Sequence, residues 1–216
     1  MSRPDLTAPP GAMTPQAIDR IRAQLHAELA ASPKPRGYRS HLAWCLAATT
    51  GLSLVGAAAL GLSGGWAAPA LAPHLPSLAM LLGLQALGLW VALAPRTERV
   101  RLPAVAAALC SMVALVVLSR HVTDGIAPPW VCTLSHLAFD AVPLAVLAWH
   151  LRFAAPSPGR ALVGGLAVGS GGAFLGELAC GRGLAHVAAY HLPAWALVAL
   201  AALVLSRTVR PRSFAP

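Results

Sequence analysis

The sequence predicts an all-α integral membrane protein, a bundle of six transmembrane helices preceded by a cytoplasmic amphipathic helix. Three observations carry this. Hydrophobic residues make up 57% of the 216 positions and charged residues 11%, where a soluble domain has roughly 45–50% and about 25%. Mean hydropathy is +0.66. Almost all the basic residues also fall on one side of an alternating six-span arrangement. The formal charge of +9 is therefore read as topology, and no direct contact with nucleic acid is expected.

Residues 1–40 are expected to form a cytoplasmic head. The stretch 1–13 is rich in proline and lacks a helical or strand period. A helix then starts at Thr14 and Pro15, an oxygen-bearing cap followed by proline where the missing N–H costs nothing. Ile18, Ile21, Leu25 and Leu29 recur at i, i+3, i+7 and i+11, so they share one narrow face. Asp19, Arg20 and Gln24 fall elsewhere, and Ser32, Pro33 and Pro35 end the helix at about residue 31. An isolated helix of this length is marginal in water. Its stripe needs either lipid headgroups, met by Arg20, Arg22 and the Lys34/Arg36/Arg39 cluster, or a groove on a protein. Asp19 and Glu28 tilt the balance toward a protein.

Six segments between 41 and 206 are long and apolar enough to cross a bilayer: 41–63, 76–94, 103–119, 130–153, 161–181 and 188–206. The proline-bearing stretch 64–75 reads as a loop. Residues 207–216 form a short tail. Arg3, Arg20, Arg22, Lys34, Arg36, Arg39, Arg96, Arg99, Arg101, Arg152, Arg160, Arg207, Arg210 and Arg212 lie on one side of these spans. Only Arg120 and Arg182 lie on the other. The positive-inside rule then places both termini in the cytoplasm. The first apolar run begins near residue 42, too late for a cleaved signal peptide, so the head is expected to remain.

Ionisable residues inside spans are costly and therefore informative. Asp140 lies in the fourth span and Glu177 in the fifth. Cys132, His136 and Asp140 follow at i, i+4 and i+8, one face running inward from the outer surface. Depth places Cys132 with Cys180, and His136 with Glu177 and His191. Three readings stand open. Cys132 and Cys180 would form a disulfide in an oxidising compartment; the mixed Cys/His/Glu set would hold a divalent metal such as zinc; or His136–Asp140 and Glu177–His191 are buried polar pairs joining helices. A fourth reading places two haems across the membrane, on His136 with His191 and on His150 with His41. Cys45 and Cys110 read as apolar filler.

Gly165, Gly169, Gly172 and Gly176 recur at i, i+4, i+7 and i+11 on the fifth span, a doubled GxxxG stripe that admits a neighbouring helix closely. Glu177 points about 100° away from it, so packing and polar faces are expected to be distinct. No Ser/His/Asp set, phosphate loop or HExxH is present, and an enzyme is not expected. Nor does the chain show an inverted repeat of the transporter kind.

Several features of the second half are shared with one family. Trp130-Val131-Cys132 opens a span interrupted by Pro143. The connection Leu151-Arg152-Phe153-Ala154-Ala155-Pro156-Ser157-Pro158 leads into a glycine-rich span. Cys180 and His186 follow, then a last span with His191 and Trp195. This pattern resembles the polytopic six-span anti-sigma factors of the negative-regulator-of-sigma-F type, and light-responsive carotenoid regulators of myxobacteria have a comparable layout. The resemblance implies a protein of the bacterial inner membrane that holds an extracytoplasmic-function sigma factor through its cytoplasmic head and releases it on a signal. It carries the family's Cys/His pattern onto Cys132, Cys180, His186 and His191. The chain departs from the family in the very short segment between Cys180 and His186. Other expectations that stand are a small channel or transporter subunit, with Asp140 and Glu177 lining its path, and a b-type haem protein.

Overall fold

A computed structural model describes residues 14–31, 37–65, 71–118, 128–153 and 157–208. The side chains of residues 15 and 28–31, Leu29 among them, lie outside that set, as do Lys34, Arg36, Arg120 and the tail beyond Thr208. Every regular element among the described residues is helical. The head forms one unit, to residue 36, and the remainder another.

In the head, helix α1 runs Pro15–Ala31. It starts as its cap predicts: the Ala17 N–H reaches the Thr14 hydroxyl oxygen at 3.3 Å and the Thr14 carbonyl at 2.9 Å. Asp19 and Arg22 face each other at 3.7 Å, both exposed. Ile18, Ile21 and Leu25 are 44%, 51% and 54% exposed. That is a costly state for three large apolar side chains aligned on one face.

The second unit holds six helices long and apolar enough to cross a membrane: α2 (Tyr38–Leu62), α3 (Ala72–Leu93), α4 (Glu98–Leu118), α5 (Trp130–Leu151), α6 (Pro158–Ala179) and α7 (Leu184–Thr208). The chain is a multi-pass membrane protein. Several helices begin earlier than the apolar runs suggest. α3 starts with a 3-10 turn at Ala72–His74, inside the stretch that reads as a loop. α4 starts at Glu98, so Pro103 lies within it. The reason is Thr97, whose buried hydroxyl folds back onto the carbonyls of Val91 and Ala94 at 2.6 and 2.9 Å. It thereby seals the end of α3 and frees the next residues to wind. α6 starts with Pro158 at its first position, where proline is favoured.

α6 is the axis of the bundle. It packs against all five other spans, and 78% of its most apolar stretch is buried, against at most 44% in any other span. The glycine stripe makes this possible. A Cβ on Gly165 would lie 2.7 Å from Ala199 Cα of α7. Gly169 receives the indole of Trp195, and Gly172 and Gly176 receive the imidazoles of His136 and His191. Trp195 is fully buried, and its indole N–H donates to the Leu166 carbonyl at 2.7 Å. The separation of packing and polar faces expected from the sequence does not hold, because the two histidines sit in the glycine stripe itself. Small residues admit rings as readily as they admit a helix backbone.

The alternation of the spans gives the bundle two ends. His41 of α2 meets His150 of α5 and Arg101 of α4 meets Ser157 before α6 at one. Cys132 of α5 meets Cys180 after α6 at the other. We call these the arginine end and the cysteine end.

Adding a methyl group at Gly172 is expected to destabilise the protein by about 1–3 kcal/mol, because the His136 ring fills that space and overpacking of this kind costs such amounts. A Cβ on Gly83 would meet nothing within 4 Å, so Gly83→Ala should be neutral or slightly stabilising. Thermal unfolding of the two variants in detergent, compared with the parent, reads the difference.

Candidate metal centre and buried polar core

At the cysteine end, Cys132, Cys180, His186 and His191 each offer one ligand atom, and these atoms all lie within 4.8 Å of one another. Cys132 comes from the first turn of α5, and Cys180 directly follows α6. His186 and His191 bracket a π-type turn, Val187–His191, in α7. That turn precedes Pro193, which has no N–H to give to the helix. Turns of this type inside α-helices recur at functional sites. Here the turn brings two histidines five residues apart toward one point, their rings 5.4 Å apart. Thr133 fastens it to α5, its hydroxyl donating to the Tyr190 carbonyl at 2.9 Å.

The two sulfurs are 3.8 Å apart and both cysteines are free thiols. A disulfide needs about 2.05 Å. A tetrahedral zinc ion with Zn–S bonds of about 2.3 Å holds its two sulfurs near 3.8 Å. Two thiols and two imidazoles are a composition that zinc takes in closed sites. The Nε2 atoms of His186 and His191 are buried without a hydrogen-bond partner, so both rings have a nitrogen to give. The residues fit such an ion, with the widest pair of donors drawing in by roughly 1 Å.

Two residues of the wider candidate set are engaged elsewhere. Glu177 does not meet His191. Its Oε1 lies 2.8 Å from Nδ1 of His74 and accepts from the Ser77 hydroxyl at 2.8 Å, both on α3. The side chain thus turns to α3 rather than α7. His136 also lies outside the four-residue cluster. Its Nε2 donates to the Gly169 carbonyl at 2.8 Å and lies 3.2 Å from Asp140 Oδ2. Asp140 Oδ1 accepts from the Gly172 N–H at 3.0 Å. His136 and Asp140 thus share one helix and grip the backbone of the next.

Asp140 belongs to a larger polar core. Thr49, Ser53, Gln85, Asp140 and Ser170 are all fully buried. Gln85 donates to the Ser53 hydroxyl at 3.4 Å, and Ser53 donates to the Thr49 carbonyl at 2.8 Å. A Cβ on Gly171 would lie 3.2 Å from Ser53 Oγ and 3.3 Å from Asp140 Oδ1, which places these groups around one point of α6. Sequence reasoning misses His74, Ser53 and Gln85. Gln85, a lone amide in the middle of an apolar span, is the signal that could find this core.

The histidines do not stand as the two-haem arrangement would place them. Nδ1 of His41 and Nδ1 of His150 are 2.7 Å apart, whereas two nitrogens on opposite faces of one iron stand about 4 Å apart with the porphyrin between them. His136, the other expected axial ligand, commits Nε2 to the Gly169 carbonyl.

The thiol geometry gives a direct expectation. A mild oxidant should join Cys132 to Cys180 within one chain, with loss of two hydrogens in the intact mass, and leave buried Cys45 unchanged. Thiol labelling before and after reductant measures this. Dimers linked through either cysteine in place of the internal bond would contradict the geometry.

No protein-family model matches the chain, and no solved structure matches it. A curated relative does. The chain is 41% identical over 202 residues to the carotenogenesis protein CarR of Myxococcus xanthus, covering 93% of this chain and 91% of that protein. The alignment therefore takes in both the head and the bundle. The chain belongs to the family of the carotenogenesis protein CarR.

Proposed function

We propose that this chain is a membrane-bound anti-sigma factor, a regulator rather than an enzyme. It sits in a bacterial inner membrane with both termini in the cytoplasm. There α1 holds an extracytoplasmic-function sigma factor, and a change at the cysteine end releases it. The observation that carries the reading is the exposed Ile18–Ile21–Leu25 face of α1, a helix-in-groove ligand by its spacing.

Kinship with a carotenogenesis protein supports a regulatory role, in line with the resemblance to myxobacterial carotenoid regulators. The charge pattern supports the orientation. Arg39, Arg96, Arg99, Arg101, Arg152, Arg160 and Arg207 gather at the arginine end, and Arg182 lies at the other, as the positive-inside rule requires for a cytoplasmic arginine end. Asp140 and Glu177 have separate partners on different helices, which favours structural roles for both over a shared ion path.

Within this reading, the Cys132/Cys180/His186/His191 cluster takes a divalent ion such as zinc. Bound there, the ion would supply no chemistry of its own and would tie α5, α6 and α7 together at one point. Loss of the ion or oxidation of the thiols would then alter how these helices meet, and so shift the population of binding-competent heads.

Ile21→Asp combined with Leu25→Asp should lower co-purification of the sigma factor by at least about tenfold, the effect of losing a hot-spot contact, with membrane insertion unchanged. Capture at the parental level would refute the reading. The protein purified without chelator should contain about one zinc per chain, measured by elemental analysis, and Cys132→Ser or His186→Ala should reduce it to background. Metal-free parental protein would remove the ion from the scheme and leave the thiol pair.

A further inference from the structure

The arginine end contains a second cluster that neither the head nor the metal centre uses. Arg101, the fourth residue of α4, and Arg160, the third residue of α6, are each only 7% exposed. Both stand at the start of an odd-numbered span, so both belong to the same end of the bundle. Arg101 lies along the first turn of α6. Its Cδ is 3.5 Å from where a Cβ on Gly159 would be, and its Nη1 donates to the Ser157 hydroxyl at 3.2 Å.

That hydrogen bond withdraws Ser157 from its usual duty. Ser157 occupies the cap position of α6; its carbonyl accepts from the Arg160 and Ala161 N–H groups at 3.1 and 3.3 Å, but its hydroxyl makes no side-chain cap bond, so the positive end of the helix lacks that added acceptor. The guanidiniums are under-satisfied too. Nε and Nη2 of Arg101 and Nε of Arg160 are buried with no hydrogen-bond partner. Arg101 and Arg160 are within electrostatic reach of each other. The nearby carboxylate is Glu98, at 3.6 Å from Arg101 Nη1, and it is 79% exposed, so solvent screens most of its charge.

Two buried guanidiniums with unpaired nitrogens beside the first turn of α6 form a strongly cationic cluster. A buried cation without a hydrogen-bonding anion is costly. A phosphate group would satisfy all three features at once: it accepts bidentate bonds from the planar fork of arginine and is favoured at helix starts. Basic pockets between transmembrane helices on the cytoplasmic side take phospholipid headgroups for this reason.

We propose that Arg101, Arg160 and the first turn of α6 form a binding site for a phosphate group, presented by an anionic phospholipid of the adjoining leaflet or by a free phosphate. Neither the occupancy of this site nor its effect depends on what α1 binds. A headgroup held here fixes the start of α4 against the start of α6, and so stabilises the bundle at the end opposite the metal centre.

The test uses the full chain, reconstituted with phosphatidylcholine alone or with added phosphatidylglycerol, and reads thermal unfolding and lipid retention by native mass spectrometry. Phosphatidylglycerol should raise the unfolding temperature by several degrees and remain bound in about one copy per chain. Arg101→Gln and Arg160→Gln should each abolish most of that shift. Arg99→Gln removes the same charge from an exposed position on the same turn and should keep it. Inorganic phosphate added to the phosphatidylcholine sample separates the sources, since an equal shift would identify a free phosphate as the occupant. Equal loss in Arg99→Gln and Arg101→Gln would reduce the effect to diffuse surface charge and overturn the site. Should the buried variants fail to fold, the parental protein still decides: no retained anionic lipid and no shift with either source overturns the proposal.

Discussion

The bundle depends on how closely other helices approach α6. In a lipid environment apolar side chains gain little by leaving the solvent, so packing has to come from contact and from internal hydrogen bonds. α6 secures contact by giving up side chains along one stripe. Gly165 brings the α7 backbone within 2.7 Å of a Cβ position, and the three glycines beyond it admit an indole and two imidazoles. Because α6 lies at the centre, each ring it receives also fixes the helix that carries the ring. α5 is positioned by His136, and α7 by Trp195 and His191.

The polar residues follow from that arrangement. Once α5 is drawn against α6, Asp140 can reach the Gly172 N–H and His136 the Gly169 carbonyl, bonds that would not close across a helix pair separated by leucines. The same approach sets Cys132 beside Cys180. The π-type turn in α7 adds the last adjustment: it brings His191 into the glycine gap at Gly176 and leaves His186 facing the sulfurs. The candidate metal centre is thus a consequence of backbone proximity at three helix ends, with little loop structure involved. This bears on the shortness of the segment between Cys180 and His186. Ligands carried on helix ends need no long loop to bring them together.

The fold and its two ends are legible in the sequence, because length, hydropathy and arginine placement report directly on the cost of crossing a bilayer. The start of α1 is legible because its cap is local, at Thr14 and Pro15; the start of α6 at Pro158 falls in a stretch that reads as a connection. Thr97 escapes notice because its hydroxyl acts backwards, on α3. Depth alone pairs Cys132 with Cys180, and the two thiols do meet in the structure, because depth along a span is one-dimensional and counts out at 1.5 Å per residue; it sets His191 with His136 and Glu177, whereas the structure places His191 beside the cysteines. Depth carries no information about azimuth. For that reason it pairs Glu177 with His191, although the Glu177 side chain turns to His74 and Ser77, and His74 is invisible inside a stretch that reads as loop. Arg101 and Arg160 count toward topology, where only their side of the membrane matters, and burial is the property that composition cannot show.

The proposed regulation requires the two ends of the bundle to be connected. α5 supplies a contiguous path. It carries Cys132 in its first turn and His150 near its last, and the 18-residue step from one to the other spans about 27 Å of helix. His150 meets His41 Nδ1 to Nδ1 at 2.7 Å, and His41 lies in the first turn of α2, just past Gly37. One imidazole of that pair must donate and the other accept, so the contact is orientation-specific, and a rotation of α5 would break it rather than stretch it. Rings seated in glycine gaps resist small displacements for the same reason: a close-packed contact is either made or lost. What α5 adds beyond continuity is two discrete contacts, at His136 and at His150, that cannot both survive a change in its rotation about its own axis.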